Sequence, residues 1–130
     1  MNLKTAIYEQ LKNDPAIAEI ISERIYRTLA PSKTKTPFIT FQRITAVNKN
    51  DIDITTERFQ FDLIAEIEAD DQLETLKDAV IKNLNRFKGD LGETGFKVMN
   101  VWLEIISDDY NKDNSMRRIV IDFKFKYLQN

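Results

Sequence analysis

Cysteine and histidine are both absent from this 130-residue chain. Without cysteine the chain has no disulfide and no thiolate chemistry. Without histidine it lacks the usual general base near neutral pH and the commonest metal ligand. Zinc sites, catalytic triads and cysteine–histidine dyads are therefore excluded. Any catalysis would have to use carboxylates, lysine, tyrosine or a magnesium ion held by carboxylates.

Glycine and long apolar runs are also scarce. The three glycines, Gly89, Gly92 and Gly95, have the wrong position and spacing for a loop that cradles phosphate. No apolar run approaches the roughly 20 residues that a membrane-spanning helix needs, and the first residues show no secretory signal pattern. With 42% hydrophobic and 31% charged residues, the composition is typical of a folded, soluble protein. We expect a single domain over residues 1–130 with no membrane partner.

The first quarter of the chain predicts two short helices. Asn2 can cap a helix that runs to about Lys12, with apolar residues recurring on one face. Asp14 is a good cap for a second helix, from Pro15 to about Ser22, because proline is tolerated in the first helical turn. Residues 24–27 follow as a short extended piece, and residues 30–35 as a loop.

Strand patterns dominate the rest of the chain. Residues 37–46 predict a strand that has apolar side chains on both faces, so we expect it to be covered on both sides, by helices or by a neighbouring subunit. From residue 56 a strict alternation predicts a second, antiparallel strand. A helix from residue 70 to about 87 follows, then a strand over 96–107, a polar loop over 108–115 and a strand over 117–128. The fold class is therefore α+β: a mainly antiparallel sheet of four main strands, with N-terminal helices and one long packing helix between two hairpins.

The best enzymatic candidate is the tripeptide Asp122-Phe123-Lys124. An acid and a lysine two residues apart on a strand point to the same face, as magnesium-dependent nucleases with such a strand require. A second acid would have to come from Asp108, Asp109 or Glu104. However, outward strand faces produce this spacing often, and the Pro-Asp half of the nuclease pattern is missing.

An acidic cluster lies at the junction between the second main strand and the long helix. Glu66, Glu68, Asp70 and Asp71 could bind a divalent cation there. Such clusters are more often solvated helix starts, where the helix dipole favours acids.

Charge divides the chain along its length. Residues 24–49 hold six basic side chains and no acid, whereas residues 51–78 hold ten acids and two basic side chains. Aromatic residues within the basic segment give it some character of a nucleic-acid site, but Phe38 and Phe41 are better used in a core, and the sequence pI is about 5.2. Sequence-specific DNA binding is therefore disfavoured, while passing contact with DNA stays compatible with the pattern.

The order of several short motifs resembles the small phage tail-completion proteins. In that family a helix with a D-P-x-[IV] start leads to an R-[IV]-[YF] segment, an A-P loop and a P-[FY]-[IV]-x-[FY]-x-x-[IV] strand. This chain has DPA at 14–16, RIY at 24–26, AP at 30–31 and PFITFQRI at 37–44. FQFDL at 59–63 and LKDAV at 76–80 are also similar to the family. The hairpin over residues 46–55 departs from it by carrying more charge.

The resemblance implies a virion structural protein of a long-tailed phage or prophage, either the tail terminator or the tail-to-head joining protein. Such proteins form a ring, commonly hexameric, that caps the tail tube and meets the head-completion proteins. It implies self-association, the major tail-tube protein and the connector proteins as partners. It implies no catalysis and no cofactor, and assembly in the host cytoplasm. The alternatives are another neck or tail interaction module and the carboxylate–metal nuclease.

The charge division suggests how such a ring could be held. A ring needs two different patches that meet between neighbouring copies. We predict that basic side chains of one subunit meet acids of the next, with Arg24, Arg27 and Arg43 facing Asp51, Asp53 and Asp62. Docking of tube or connector is predicted at two polar loops. The first contains Asn48, Lys49 and Asn50, and the second contains Asp108, Asp109, Tyr110, Asn111 and Lys112.

Overall fold

The computed structural model of the chain describes residues 2–49 and 53–128. Within these residues it has three α-helices, seven strands and one turn of 3-10 helix that leads into the third helix. The elements are α1 (Leu3–Lys12), α2 (Pro15–Ile21), β1 (Ile25–Arg27), β2 (Phe38–Lys49), β3 (Ile54–Glu66), α3 (Asp70–Leu84), β4 (Gly89–Leu91), β5 (Phe96–Val98), β6 (Asn100–Asn111) and β7 (Met116–Leu128).

Five strands form the main sheet, in the order β1-β2-β3-β7-β6. All neighbours are antiparallel except β1, which runs parallel to β2 over residues 25–27. The predicted α+β class and the four main strands β2, β3, β6 and β7 are confirmed. The two hairpins lie side by side because β3 pairs with β7, and β4 and β5 form a separate two-stranded sheet.

Five phenylalanines form the centre of the core, on the face of the sheet that the helices cover. Each is at most 2% exposed, and they lie on the three neighbouring strands β2, β3 and β7: Phe41, Phe59, Phe61, Phe123 and Phe125. Ring centroids of Phe41 and Phe61 are 5.6 Å apart in a stacked arrangement, and those of Phe61 and Phe123 are 5.7 Å apart edge to face. Both geometries are favourable for aromatic pairs. Buried residues of α1, α2 and α3 belong to the same cluster.

Caps fix the first two helices where the sequence predicts them. The Asn2 side chain accepts a hydrogen bond from the Thr5 amide at 2.9 Å, and Asp14 accepts one from the Ala16 amide at 2.9 Å. Each satisfies an amide that has no partner inside its helix. None of the helices in the described residues is long and apolar enough to cross a membrane.

The predicted end of the long helix is wrong by one turn. α3 stops at Leu84 rather than near residue 87, because Asn85 is extended and Arg86 has a φ of 65°. Both residues bind the start of β6 instead. The Arg86 amide donates to the Val101 carbonyl at 2.6 Å, and the Asn85 side chain accepts from the Leu103 amide at 3.0 Å.

Two boundaries near the second hairpin are also wrong. The predicted strand over 96–107 is split: residues 96–98 belong to β5, which pairs with β4, and β6 begins at Asn100. The predicted loop over 108–115 is mostly strand, because β6 continues to Asn111 in register with β7. Likewise β2 extends to Lys49, beyond its predicted end at residue 46. Ladder hydrogen bonds to a well-formed partner strand outweigh the low strand propensity of these polar residues.

The phenylalanine cluster should dominate the stability of the fold. We expect Phe61→Ala to lower the free energy of unfolding by about 3–5 kcal/mol, because it removes a fully buried ring and leaves a cavity. Urea unfolding followed by circular dichroism measures the change. Phe38→Ala on the same hairpin is the control. Phe38 is only half-buried, so its loss should cost about 1 kcal/mol. Equal losses for the two variants would contradict the assignment of the core.

Candidate functional site

The residues of the nuclease-like tripeptide lie on the strand β7, and Asp122 and Lys124 share the helix-free face of the sheet. Asp122 is 5% exposed, and its Oδ2 accepts hydrogen bonds from Arg58 at 2.6 and 3.1 Å. Lys124 donates to Glu104 at 2.8 Å. The alternation of β7 placed both side chains on one face as predicted, and each is bound to a partner of opposite charge on a neighbouring strand.

Asp108 and Asp109, which the sequence offers as further metal ligands, contact arginines. Asp108 binds Arg117 at 2.9 Å, and Asp109 binds Arg118 at 2.9 Å. Arg117 also contacts Asp70 and, at 2.8 Å, Glu74 on α3, so three carboxylates surround one guanidinium. In the part of the chain that the structure describes, no group of three or more acids could hold a metal ion. Arg117 therefore links α3 to the sheet at this end.

A buried carboxylate lies at the base of the first hairpin, on the helix-covered face. Glu57 is 4% exposed and binds two side chains, the Arg43 guanidinium at 2.5 Å and the Tyr127 hydroxyl. Burial, and then the hydrogen bond to Glu57 and its negative charge, raise the pKa of Tyr127 to about 12. The sequence alternation gave no signal for this cluster, because Glu57 occupies an inward position of β3 that a polar side chain rarely takes.

The residues predicted to hold subunits together are spread over the molecule. Arg24 donates to the carbonyls of Pro37 at 3.0 Å and Ile20 at 3.4 Å, so it joins the end of α2 to the start of β2. Arg27 stacks over the Tyr8 ring with 5.4 Å between its guanidinium carbon and the ring centroid. Asp62 lies on the helix-free face.

Asp62 accepts a hydrogen bond from Arg118 at 3.3 Å and a second from Gln60 at 3.0 Å. Asp53 lies at the hairpin turn with a φ of 52°, while Asp51 lies outside the described residues. Arg43, as described, binds Glu57 of its own chain. Any contact of Arg24, Arg43 or Asp62 with a second subunit would therefore add to an existing intrachain contact.

The predicted docking residues lie at the two ends of the main sheet. Asn48 and Lys49 are the last residues of β2, and Asn50 lies outside the described residues. The next four, Asp108, Asp109, Tyr110 and Asn111, are the last residues of β6 rather than a loop, and Lys112 begins the turn.

Strand register places the two hairpin tips at opposite ends. At one end Lys49, Ile54 and Leu128 lie side by side; at the other, Glu66, Met116 and Asn111 do. A strand of thirteen residues such as β3 spans about 40 Å. The two hairpin ends, marked by Lys49 and Asp53 on one side and by Lys112 on the other, therefore lie about 40 Å apart.

The outer long strands β2 and β6 are each covered over only part of their length. β1 lies beside residues 39–41 of β2, and Asn85 and Arg86 cover Val101 and Leu103 of β6. Among the described residues, no strand lies beside residues 42–47 of β2 or beside residues 104–111 of β6 on the side away from the sheet. We call these two segments the β2 edge and the β6 edge.

Exposed apolar side chains concentrate on these edges. Nine large apolar side chains of the described residues are exposed, and five of them lie on the two edges: Ile44, Val47, Ile105, Ile106 and Tyr110. The sequence could not reveal the edges, because it does not show which strand is central and which is outermost. An unpaired strand with exposed apolar side chains is a site where another chain can pair.

One comparison with known proteins identifies a family, and another shows a similar fold. The family model described as tail completion protein gp17 matches residues 5–128. Among solved structures, a chain of the structure titled "Virion of native gene transfer agent (GTA) particle" has a similar fold, with a TM-score of 0.82. The two sequences are 16% identical, and the alignment covers 98% of this chain and 95% of that chain. A comparison with curated protein sequences gave no significant match.

The Arg58–Asp122 pair should have a structural effect that an exposed pair lacks. Arg58→Gln leaves the buried Asp122 carboxylate without its cation, so we expect the free energy of unfolding to fall by about 1–3 kcal/mol. The matched control is Arg118→Gln on the same face, where the arginine is 43% exposed and the expected change is below about 1 kcal/mol. Chemical denaturation of both variants measures the difference, and a smaller loss for Arg58→Gln than for Arg118→Gln would contradict it.

The Tyr127 hydroxyl should ionise well above the ordinary pKa of a tyrosine. The chain has four tyrosines, and Tyr127→Phe should remove a component that titrates near pH 12 rather than near 10. The folded-state pKa of Tyr127 lies above its unfolded value, so the protonated hydroxyl stabilises the folded protein. This stabilisation is complete below about pH 10 and is lost as the pH rises towards 12. Absorbance at 295 nm measures the titration. If Tyr127→Phe removed no component near pH 12, the burial argument would fail.

Proposed function

The chain belongs to the tail completion protein gp17 family, and on this premise we propose that it forms a ring that caps the finished tail tube and joins tail to head. Membership makes it a structural protein of a phage-like tail, in a family that is not known to be enzymatic. The capping position, the ring and its hexameric number are the parts that we propose. We also propose that it assembles in the host cytoplasm.

The observation that carries the proposal is the opposite placement of the two polar hairpin tips. A protein that joins tail to head must present one surface to the tail-tube protein and a different surface to the connector. The tip that follows Lys49 and the tip at Lys112 lie at opposite ends of a sheet about 40 Å long. We assign one tip to the tube and the other to the connector.

A cyclic ring requires that one patch of each copy meets a different patch of the next. The basic segment before residue 50 and the acids after it supply complementary charge, which favours such a contact over self-pairing of either patch. Our charge-based proposal for this contact is that Arg24, Arg27 or Arg43 of one copy faces Asp51, Asp53 or Asp62 of the next. Of these, Arg27 and Asp53 have the weakest intrachain ties described above, so they are the ones best able to reach a neighbour.

We propose that the ring works without catalysis. The residues of the nuclease-like pattern are engaged in ion pairs: Asp122 with Arg58, Lys124 with Glu104 and Asp109 with Arg118. These contacts support a structural role, in which the charges stabilise the surface of the sheet. No observation in the described residues favours a nuclease over a structural protein.

Tail assembly in cells that lack this chain tests the proposed function. We expect tubes of uncontrolled length that do not join to heads, because nothing caps the tube. Adding the purified protein to such tubes should produce a ring of density at one end and restore joining. Electron microscopy measures tube length, end density and joined particles. Tubes of normal length that join heads without the chain would overturn the proposal.

A further inference from the structure

The geometry points to a specific subunit contact: the β6 edge of one copy pairs as an antiparallel strand with the β2 edge of the next copy. This inference rests on the proposed ring and deepens it, because it names the surface that holds neighbouring copies together. It differs from the sequence-based prediction in the acids that it uses. They are Glu104, Asp108 and Asp109 on β6, rather than Asp51, Asp53 or Asp62.

The directions of the two strands fit such a pairing. Two strands, β3 and β7, lie between β2 and β6, and each neighbouring pair is antiparallel, so β2 and β6 run in opposite directions. Rotation about a ring axis keeps every copy in the same orientation along that axis. The β6 edge of one copy and the β2 edge of the next therefore meet antiparallel, as in a continuous sheet.

Charge favours this pairing over the two alternatives. The β6 edge carries three acids and no cation, whereas the β2 edge carries Arg43, and Lys49 follows it. Two β6 edges would bring like charges together, and so would two β2 edges. The unlike pair avoids this repulsion and adds to the ion pairs that Arg43, Glu104, Asp108 and Asp109 already make in their own chain. A contact between unlike patches is also the kind that builds a ring. Charges on an open edge also discourage unselective aggregation.

The faces of the two strands select a register. Paired residues must lie on the same face, and Val47 and Ile105 both lie on the helix-free face. They are 58% and 50% exposed, so pairing them removes apolar surface from water. In this register Ala46 faces Ile106 on the helix-covered face. The bulge of β2 next to Arg43 then lies opposite Asp108, so the Arg43 guanidinium and the Asp108 carboxylate attract each other.

The covered parts of each strand limit the pairing at both ends. Beyond Glu104, Asn85 and Arg86 already cover β6. On β2 the limit is Phe41, whose carbonyl accepts a hydrogen bond from the Thr28 amide at 2.8 Å. In this register residues 42–47 of one copy, with two residues of the β2 bulge opposite one, face residues 105–109 of the next, and both stretches lie within the open edges.

The register also has the stagger that a closed sheet needs. Val47 lies level with Lys126 of β7 in its own copy, and Ile105 lies level with Asp122. Lys126 and Asp122 are four residues apart on β7, so pairing Val47 with Ile105 displaces the neighbouring copy by four residues, or about 13 Å, along the strands. Each copy adds four long strands, or about 19 Å of sheet. The resulting strand tilt is about 35°, at the edge of the range for closed sheets, which is about 35–45°.

Cysteine cross-linking tests the pairing directly, because the natural chain has no cysteine. Val47→Cys with Ile105→Cys, and separately Ala46→Cys with Ile106→Cys, place thiols at matched positions of neighbouring copies. Directly opposed residues of an antiparallel pair lie at about 4.5–5.5 Å between Cα atoms, within disulfide range. The mismatched control, Val47→Cys with Ile106→Cys, places the thiols on opposite faces. Each variant is added to tail tubes assembled without the chain and is then mildly oxidised.

For the matched variants we expect a ladder of covalent multimers on a non-reducing gel, and reductant should remove it. The mismatched variant should give at least tenfold less cross-linked multimer. Electron microscopy of the same samples reports whether rings sit on the tubes. Rings without selective cross-linking of either matched pair would overturn the strand pairing and leave the proposed function intact. Tubes that carry no ring even with the wild-type chain would overturn the proposed function and the pairing together.

Discussion

The pairing of β3 with β7 is the interaction on which the rest of the structure depends. It runs over the full thirteen residues of β3, from Ile54 beside Leu128 to Glu66 beside Met116. It joins two hairpins that are distant in sequence into one sheet, and it brings Phe59 and Phe61 against Phe123 and Phe125. The helices can cover this face only after the two hairpins are joined. The exposed outer strands follow from the same arrangement, because the centre of the sheet is occupied by β3 and β7.

The two faces of the sheet use charge differently. On the helix-free face, cross-strand ion pairs such as Arg58–Asp122 and Lys124–Glu104 let polar side chains cover neighbouring strands without a helix layer. On the helix-covered face, Glu57 is buried with Arg43 and Tyr127 where the first hairpin leaves the core. Removing any one partner of such a buried group costs more than removing an exposed pair, since the remaining polar atoms lose hydration without compensation. The base of the first hairpin is thereby held in a defined position relative to β7.

Much of the fold could be predicted from the sequence, because the patterns involved are local. Alternation identified β3 and β7, helical spacing identified α1 and α3, and Asn2 and Asp14 capped the helices that they were expected to cap. The misses arose where a distant partner overrides local propensity. Asp108 and Asn111 are strand residues because β7 lies beside them, and α3 ends early because Asn85 and Arg86 bind β6. The charge division visible in the sequence shares only Arg43 with the candidate surface, because the acids of that surface lie on β6. Which charges lie on an open edge depends on strand order, which the sequence does not show.

The long sequence separation between β3 and β7 has a consequence for the timing of assembly. Contacts between distant segments form late, and they slow folding relative to local contacts. Since β7 follows β6 in the chain, neither the central pair nor the β6 edge can take its final place until almost the whole described chain has been synthesised. A nascent chain that carries only the first hairpin displays β2 and β3. It does not yet have the β6 edge, which we propose pairs with the β2 edge of a neighbouring copy. The order of synthesis would thus delay the proposed self-association until each copy is able to complete its own core.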